Sequence, residues 1–253
     1  MGKIIAFANQ KGGVGKSTSA INIAAALGLL GKKTLIVDLD PQGNTTSGVG
    51  INKKQIKTSS YDILISRSDT KSAIVKTKFE NLDILPSNIT LAGAEFELVD
   101  TSNREGRFKS AMDKVKDEYD YIIVDCPPSL GLLTLNALVA SNGVVVPMLC
   151  EYFSLEGLTQ LMITIREVKK RFNPSLDLAG ILITMYNGRL NLSAEVLHEL
   201  KKYYSDKLFK TMIPRSVRLS EAPSYGEPIQ YYDKRSKSSE AYNEVAKELI
   251  FRI

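Results

Sequence analysis

Apolar runs of strand length alternate along the chain with segments of helix length. Seven runs predict strands, at Lys3–Asn9, Thr34–Asp38, Leu82–Ser87, Tyr121–Cys126, Gly143–Met148, Leu178–Met185 and Leu208–Ile213. Several runs are aliphatic without polar alternation, which is typical of strands covered on both faces. Five periodic segments, 16–30, 105–118, 154–172, 192–204 and 238–251, predict helices. The pattern predicts an α/β fold with a mostly parallel, twisted central sheet of about seven to eight strands and helices on both faces.

Length and composition fit one compact unit. The chain has 253 residues, of which 43% are hydrophobic and 24% charged, as in ordinary globular domains. No composition shift or low-complexity linker divides it, so we expect a single domain over 1–253. No run approaches the roughly 20 apolar residues of a membrane helix, and the first residues lack a signal-peptide pattern. We expect a cytoplasmic protein.

Charge and metal-binding residue types restrict the function classes. The net charge is +5, and residues 189–218 hold seven basic but only three acidic side chains. A local basic excess favours a polyanionic partner, although single exposed lysines more often lie on solvated helix faces. Cys126 and Cys150 lack metal-site spacing, and His198 is the only histidine. These counts argue against a disulfide framework, a zinc site and a histidine-based triad.

A glycine-rich segment follows the first predicted strand and opens the first predicted helix. Residues 10–18 read QKGGVGKST. Glycines allow successive backbone N–H groups to face one hollow, and the helix N-terminus adds partial positive charge, so the segment suits a polyphosphate. In this motif Lys16 contacts the β- and γ-phosphates, Ser17 ligates Mg²⁺ and Thr18 meets the α-phosphate. A connecting turn would explain the glycines but not the Lys-Ser-Thr that follows them.

Acidic residues end two of the predicted strands. Asp38 and Asp40 follow the second strand, and Asp125 ends the run Tyr121–Val124. Because carboxyl ends of parallel strands face the ligand crevice, we expect all three near the phosphate loop. Asp125 there would order the Mg²⁺ shell, and a carboxylate of the first pair could hold a water. The alternative that these aspartates cap a loop is stronger for Asp38 than for Asp40.

The phosphate loop departs from the ordinary pattern in one respect. That pattern places Gly at position 10, where this chain has Gln10, and Lys11 follows. KGGVGKST resembles the deviant Walker A motif of the ParA/MinD group of P-loop ATPases. Similarity to the ParA/Soj branch continues through DLDPQGN, LAGAEFELV, DYIIVDCPPSLGLLTLNAL, CEYFSLEGL and IPRSVRLSEAPSYG.

The resemblance implies an ATPase site. The nucleotide contacts are Lys11, Gly12, Gly13, Val14, Gly15, Lys16, Ser17, Thr18 and Pro214, and the magnesium residues are Ser17, Asp40 and Asp125, with the aspartates acting through water. Lys11 reaches the partner's phosphates across a nucleotide-sandwich dimer, Asp40 orients the hydrolytic water, and Pro214 packs on the adenine. Pro214 could equally be a strand-ending proline.

The resemblance also implies partners. The ATP-bound homodimer binds double-stranded DNA nonspecifically through Arg189 and Arg218, and a ParB-type centromere-binding protein stimulates hydrolysis and release. The function implied is segregation of chromosomes or plasmids by a nucleoid-associated protein. No base-reading motif is evident, which fits binding without sequence preference.

Three other interpretations remain open. A MinD-like ATPase would bind the membrane surface to position cell division, but the C-terminal segment 241–253 interleaves acids with its apolar residues and is expected to pack on the domain. A nitrogenase-reductase-like protein would need cysteines facing the dimer axis to hold an iron–sulfur cluster. A scaffold would bind ATP without hydrolysing it.

Overall fold

A seven-stranded sheet organises the part of the chain that the computed structural model describes, residues 2–253. Its strands are β1 Lys3–Phe7, β2 Thr34–Asp38, β3 Val75–Lys76, β4 Leu82–Leu85, β5 Tyr121–Asp125, β6 Gly143–Met148 and β7 Asp177–Ile183, in the order β3-β4-β2-β5-β1-β6-β7. All neighbouring pairs are parallel except β3 with β4. The α/β fold predicted from the pattern is confirmed.

The sheet differs from the prediction at both edges. At one edge, the two-residue strand β3 was not predicted, because Val75 and Lys76 are too few for any periodicity. At the other edge, the strand predicted at Leu208–Ile213 is wrong. This segment runs beside β7 but joins it only through an isolated bridge between Ile181 and Leu208.

A helix carboxylate accounts for that second difference. Oε2 and Oε1 of Glu248 accept the amides of Lys210 and Thr211 at 2.8 and 2.9 Å. These two amides are therefore turned away from β7, and the ladder is interrupted between Phe209 and Ile213, whose amides still bond the strand.

Twelve α-helices surround the sheet within the described residues. Their bounds are α1 Lys16–Leu29, α2 Asn44–Gly48, α3 Ser60–Leu64, α4 Thr70–Ala73, α5 Ala92–Glu97, α6 Arg107–Met112, α7 Leu132–Ala140, α8 Tyr152–Arg171, α9 Asn191–Tyr204, α10 Val217–Glu221, α11 Ile229–Tyr232 and α12 Lys237–Arg252. Short 3₁₀ turns lie at Lys53–Gln55, Ile89–Leu91, Arg104–Gly106, Lys116–Glu118 and Ala222–Tyr225.

The single helix predicted over 105–118 is wrong. The segment is a 3₁₀ turn, then the short helix α6, then a second 3₁₀ turn. After Met112 the amides of Lys114 and Val115 bond three residues back, and this tighter winding places Val115 in the core at 1% exposure. A continuous α-helix would rotate Val115 to a different direction.

Two apolar cores fill the space on either side of the sheet. One includes residues of α3, α5, α6, α7, α8 and α9, and the other includes residues of α1 and α12. α1 is buried along nearly its whole length, because its sequence is apolar on nearly all sides after the first turn. Because the strands are parallel, their carboxyl ends gather at one edge, where the loops after β1, β2 and β5 meet. Among residues 2–253, no helix combines the length and apolarity that crossing a bilayer would demand.

Candidate active site

The loop between β1 and α1 forms a hollow lined by backbone. Gly13 and Gly15 adopt φ angles of 72° and 81°, a region that side chains with a Cβ rarely enter. Val14 is fully buried, and its carbonyl accepts the Thr184 hydroxyl at 2.8 Å, which ties the loop to the end of β7. A Cβ at Gly12 or Gly13 would meet only open space. The loop is therefore held from behind and open in front.

Lys16 opens α1 and folds back over this loop. Its Nζ donates to the Lys11 carbonyl at 3.1 Å, and the residue is only 6% exposed. Burial lowers the pKa of Lys16, while the Asp125 and Asp40 carboxylates raise it. Ser17 and Thr18, the next two residues, are half-buried in the first turn of the helix. The structure thus places the predicted cation and both hydroxyls at one helix end.

Asp125 ends β5 directly beside β1 and β2. It is in register with Phe7 on one side and with Asp38 on the other. Burial raises the pKa of Asp125, the nearby Asp38 raises it further, and Ser17 lowers it. Its Oδ2 accepts the Thr45 hydroxyl at 2.7 Å, whereas its buried Oδ1 has no hydrogen-bond partner. One carboxylate oxygen at this strand end is therefore left for a ligand near Ser17.

Asp38 uses its carboxylate to shape the loop that follows β2. Oδ1 accepts the Asp40 amide at 3.1 Å, and Oδ2 accepts the amide and hydroxyl of Thr46 at 2.8 and 2.7 Å. The alternative that Asp38 caps a loop is confirmed by these contacts. Burial raises the pKa of Asp38, and the hydrogen bonds from Thr46 oppose that rise.

Asp40 lies just beyond this cap at the same edge of the sheet. It is 6% exposed, and its Oδ1 accepts the amide of Gln42 at 2.9 Å. The negative charge of Asp40 favours the ammonium form of Lys16 and so raises the pKa of that lysine. The fold therefore brings Asp38, Asp40 and Asp125 together with the glycine loop, as the strand ends predicted.

Lys11 is engaged inside its own chain. Its Nζ lies 2.6 Å from Oε2 of Glu151, the residue before α8, and both side chains are partly exposed. The Lys11 amide is held by Oδ1 of Asn9 at 3.0 Å. Sequence reasoning missed Glu151, because 140 residues separate it from Lys11 and no local pattern links them.

A cavity of about 820 Å³ opens beside the phosphate loop. Pro214 lines it together with Gly15 and Thr18 at one end. The lining also includes Met185 and Tyr242, which sequence reasoning missed. Met185 has a φ of 50°, which no sequence signal announces in a non-glycine residue, and Tyr242 comes from α12. Pro214 therefore lines the same cavity as the end of the phosphate loop, within reach of a long ligand bound to that loop.

The fold divides the predicted basic residues into two groups. Arg189, Lys201, Lys202, Lys210 and Arg215 make no ion pair with any described residue. The charge count over residues 189–218 favours basic residues without acidic partners, and this is wrong for Lys207, which pairs with Asp177 at 2.9 Å, and for Arg218, which pairs with Glu221 at 3.1 Å and Asp233 at 3.8 Å. Both acids of Arg218 come from tertiary and local packing that charge counting ignored.

The segments that carry Arg189 and Arg215 leave the sheet as neighbours. Tyr186 and Pro214 form a parallel bridge, so the exposed loop carrying Arg189 emerges next to Arg215. The contact of Arg218 with Asp233 also brings in three exposed basic residues that the sequence analysis did not select, Lys234, Arg235 and Lys237. A run of basic residues in the final third was the available signal, and it was missed.

The two cysteines lie at different depths. Cys126 follows Asp125 and is fully buried, and burial raises the pKa of its thiol strongly. Cys150 is half-buried, and burial raises its pKa to about 11. In residues 2–253, no group of three or more His, Cys, Asp or Glu side chains is arranged to hold a metal ion.

Comparisons with known proteins agree with a nucleotide-binding site of this kind. A family model described as an AAA domain matches residues 2–178. Sporulation initiation inhibitor protein Soj of Bacillus subtilis is 56% identical over 249 residues, covering 98% of each chain. Chromosome-partitioning ATPase Soj of Treponema pallidum is 49% identical, covering 100% of this chain and 98% of that protein.

Solved structures extend the likeness to three dimensions. Cobyrinic acid a,c-diamide synthase from Mycobacterium smegmatis, solved with bound ADP and magnesium, superposes with a TM-score of 0.87 at 38% identity, covering 99% of this chain and 94% of that one. Identity of this extent over whole chains, together with the deviant phosphate loop, shows that the chain belongs to the Soj/ParA family of chromosome-partitioning ATPases, within the ParA/MinD type of P-loop proteins.

Proposed function

We propose that this protein is a Mg²⁺-dependent ATPase that uses ATP binding and hydrolysis to switch its hold on DNA during segregation of a chromosome or plasmid. The observation that carries the proposal is the pairing of a glycine loop with the unpartnered, buried Oδ1 of Asp125 at one strand edge. A similar structure was solved with ADP and magnesium, and relatives named as partitioning ATPases span the full chain.

The nucleotide would occupy both the hollow of the glycine loop and the cavity beside it. Backbone amides from Gly12 to Gly15 and the ammonium of Lys16 would hold the β- and γ-phosphates, and Thr18 the α-phosphate. The base would enter the 820 Å³ cavity against Pro214. The Lys16 ammonium would then exchange its hydrogen bond to the Lys11 carbonyl for one to a phosphate oxygen.

Residues suited to magnesium stand beside the phosphates. Ser17 offers a hydroxyl, and Oδ1 of Asp125 is a buried carboxylate oxygen without a partner, which is the hard oxygen donor that Mg²⁺ prefers. Asp125 and Asp40 would act through metal-bound water. The cation would neutralise charge on the β- and γ-phosphates and would hold the Asp125 carboxyl in its ionised form.

Asp40 is the residue that we assign to hydrolysis. Its carboxylate lies at the same strand edge as the loop, and it is almost buried. From there it would orient the attacking water toward the γ-phosphate. The scaffold alternative, ATP binding without turnover, predicts instead that replacing Asp40 changes nothing.

Lys11 is the residue that we assign to the ATP-bound dimer, the second state of the proposed switch. In one chain its charge is satisfied by Glu151 at 2.6 Å. In an ATP-bound sandwich dimer, Lys11 would reach the partner's phosphates and neutralise charge there, as an arginine finger does. The γ-phosphate would then favour the dimer until it is hydrolysed.

The DNA surface is built around Arg189 and Arg218. Arg189 is exposed, has no acidic partner among the described residues, and lies in the loop that follows the bridge of Tyr186 with Pro214, the residue before Arg215. Arg218 exposes 59% of its side chain despite its two acidic partners. Contacts of this kind bind phosphates without reading bases, so affinity falls steeply with salt.

Membrane binding of the MinD type is disfavoured by the last helix. Tyr242, Val245, Ala246 and Leu249 of α12 are buried in the same apolar core as α1. The apolar face that an interfacial helix would insert into lipid is therefore already occupied. We propose that residues 1–253 act as one ATPase domain in the cytoplasm, associated with the nucleoid through DNA.

A ParB-type centromere-binding protein would complete the cycle by stimulating hydrolysis and release of DNA. The test is phosphate release from wild type and Asp40→Ala, measured alone, with duplex DNA, with a ParB-type partner, and with both. We expect slow wild-type turnover that rises most with both additions, and no turnover in the variant. Equal, unstimulated rates in all four conditions would contradict the proposal.

A further inference from the structure

Four polar residues around the loop after β2 form a closed circuit of hydrogen bonds, which we call the hydrogen-bond ring. The Asp40 amide donates to Oδ1 of Asp38 at 3.1 Å, and the Thr46 hydroxyl donates to Oδ2 of Asp38 at 2.7 Å. The Thr46 hydroxyl in turn accepts the Ser87 amide at 2.8 Å, and the Ser87 hydroxyl donates to the Asp40 carbonyl at 2.9 Å.

The ring is sealed from water. Asp38, Thr46 and Ser87 are fully buried, and Asp40 is 6% exposed. In such surroundings each bond is stronger than in water, and a donor or acceptor left unpaired is costly. Ser87 enters the ring because β4 is in register with β2, with Leu85 opposite Val37, so the residues just past the two strand ends meet.

The ring fixes the backbone of Asp40 at both of its polar atoms. Its amide is held by Asp38, and its carbonyl accepts both the Ser87 hydroxyl and, within its own turn, the Gly43 amide at 2.9 Å. With both atoms held, the peptide groups on either side of Asp40 lose their rotational freedom, and the direction in which the carboxylate leaves the chain is set. Neither Thr46 nor Ser87 lies in the glycine loop itself.

We infer that Thr46 and Ser87 are positioning residues for hydrolysis, which hold Asp40 at the angle from which its carboxylate addresses the attacking water. The inference rests on the proposed role of Asp40. Misplacement of a reacting group by an ångström reduces rates by up to about a hundredfold, so a loosened ring lowers kcat without weakening nucleotide binding.

Two substitutions open the ring: Thr46→Val removes two of its bonds, from the Thr46 hydroxyl to Asp38 and from the Ser87 amide to that hydroxyl, and Ser87→Ala removes one. Thr46→Val removes the hydroxyl and keeps the Thr46 amide, which also donates to Oδ2 of Asp38 at 2.8 Å. Ser87→Ala removes the only side-chain bond to the Asp40 carbonyl, leaves that of the Gly43 amide, and keeps the Ser87 amide. Thr46→Ser restores a hydroxyl and serves as the conservative rescue.

Ser141→Ala is the matched control. Ser141 is buried like Ser87, at 1% exposure, and its hydroxyl also donates to a backbone carbonyl, that of Ala137 at 2.7 Å. It lies just after α7, outside the site. This variant loses a buried hydroxyl and the stability that goes with it, but the ring stays closed.

The measurements are kcat, the Kd for Mg·ADP and amide hydrogen exchange over residues 40–47. We expect kcat to fall about tenfold or more in Thr46→Val and Ser87→Ala, with Kd changed less than about twofold and exchange over 40–47 accelerated. Thr46→Ser should recover most of the rate, and Ser141→Ala should match wild type in rate and in exchange over 40–47.

Two results separate failure of this inference from failure of the proposed function. If Asp40→Ala is inactive while Thr46→Val and Ser87→Ala turn over at the wild-type rate, the ring does not position Asp40. If Asp40→Ala itself keeps turnover, the role of Asp40 in hydrolysis is wrong and the inference falls with it. A rate loss in Ser141→Ala equal to that in Ser87→Ala would also overturn the inference, because stability alone would then explain it.

Discussion

Two opposing effects act on the ammonium group of Lys16. Burial to 6% exposure disfavours its charge and lowers its pKa, while the carboxylates of Asp125 and Asp40 favour the charge. A bound triphosphate would add several negative charges and shift this balance further toward the ammonium form. Lys16 is therefore placed where its charge gains most from a polyphosphate.

Lys16→Ala tests this at the scale of one residue. The variant removes the only ammonium group in the first turn of α1, so we expect the affinity for Mg·ATP to fall at least about a hundredfold, since charge-assisted phosphate contacts are worth several kcal/mol when buried. Titration calorimetry measures it. Lys33→Ala, an exposed lysine just before β2, is the control and should bind normally. Unchanged affinity in Lys16→Ala would remove the phosphate-loop assignment.

At the scale of elements, α1 is positioned by close backbone contact as well as by apolar packing. Gly28 lies in its last turn, and a Cβ there would fall well inside van der Waals contact of the Glu80 carbonyl oxygen. Asn81 donates to the Gly28 carbonyl at 3.1 Å, so the turn before β4 and the end of α1 are fixed to each other. This contact helps set the axis of the helix whose first turn carries Lys16.

Gly28→Ala should therefore reverse the usual effect of alanine in a helix. Replacing glycine by alanine normally gains about 1 kcal/mol of helix propensity, but here the added methyl group should cost about 1–3 kcal/mol through overpacking. Urea denaturation measures the free energy of unfolding. Gly157→Ala in α8 is the control, because a Cβ there would lie 3.5 Å from its nearest neighbour, an ordinary contact.

We expect Gly157→Ala to be neutral or stabilising and Gly28→Ala to be destabilising. If both variants were stabilised alike, the close approach between α1 and the turn before β4 would not exist in solution.

At the scale of the whole molecule, the proposed function needs Lys11 to leave Glu151 for a second copy of the chain and needs the exposed arginines to contact DNA. The Lys11–Glu151 pair is exposed enough to exchange partners, with side-chain exposures of 34% and 51%. An exposed pair of this kind contributes only about 0–1 kcal/mol, so breaking it to reach a phosphate is inexpensive.

Lys11→Ala should separate ATP binding from dimerisation. Because the Lys11 side chain bonds its own chain only through Glu151, and its amide and carbonyl contacts remain in the variant, we expect one chain to bind ATP with little change, while the dimer formed with a non-hydrolysable analogue is lost. Light scattering after size-exclusion chromatography gives the mass. Lys33→Ala should dimerise like wild type. A full dimer in Lys11→Ala would contradict the role of Lys11 across the interface.

Arg189→Glu should weaken DNA binding and leave ATP-dependent dimerisation intact. Removing one arginine–phosphate interaction reduces the slope of log K against log salt by about 0.9, so the change in slope shows whether Arg189 binds a phosphate. Gel shifts with unrelated duplexes at several salt concentrations measure it. Lys33→Glu changes the net charge equally at the opposite edge of the sheet. If both variants bound DNA alike, Arg189 would have no specific part in binding.

The sequence by itself determined the parts of the protein that depend on neighbouring residues. The glycine loop, Lys16 and Ser17 are contiguous, so the motif that would hold the phosphates could be recognised without knowing the fold. The aliphatic runs predicted every strand of the sheet except the two-residue β3. Their alternation with helices predicted that the sheet is mostly parallel. Asp125 could be placed at the site because strand ends in a parallel sheet share one edge.

Only the tertiary structure decided the contacts between residues far apart in the chain. Ser87 meets Asp40 because β4 is in register with β2. Glu248, from α12, binds the amide of Lys210 and so prevents the segment after α9 from pairing fully with β7. Glu151 binds Lys11 across 140 residues of sequence. Hydrophobic periodicity reports which way a side chain faces, but not which distant partner it meets. Those partners are selected by the packing of whole elements; a one-residue shift of β4 against β2, for example, would remove Ser87 from Asp40.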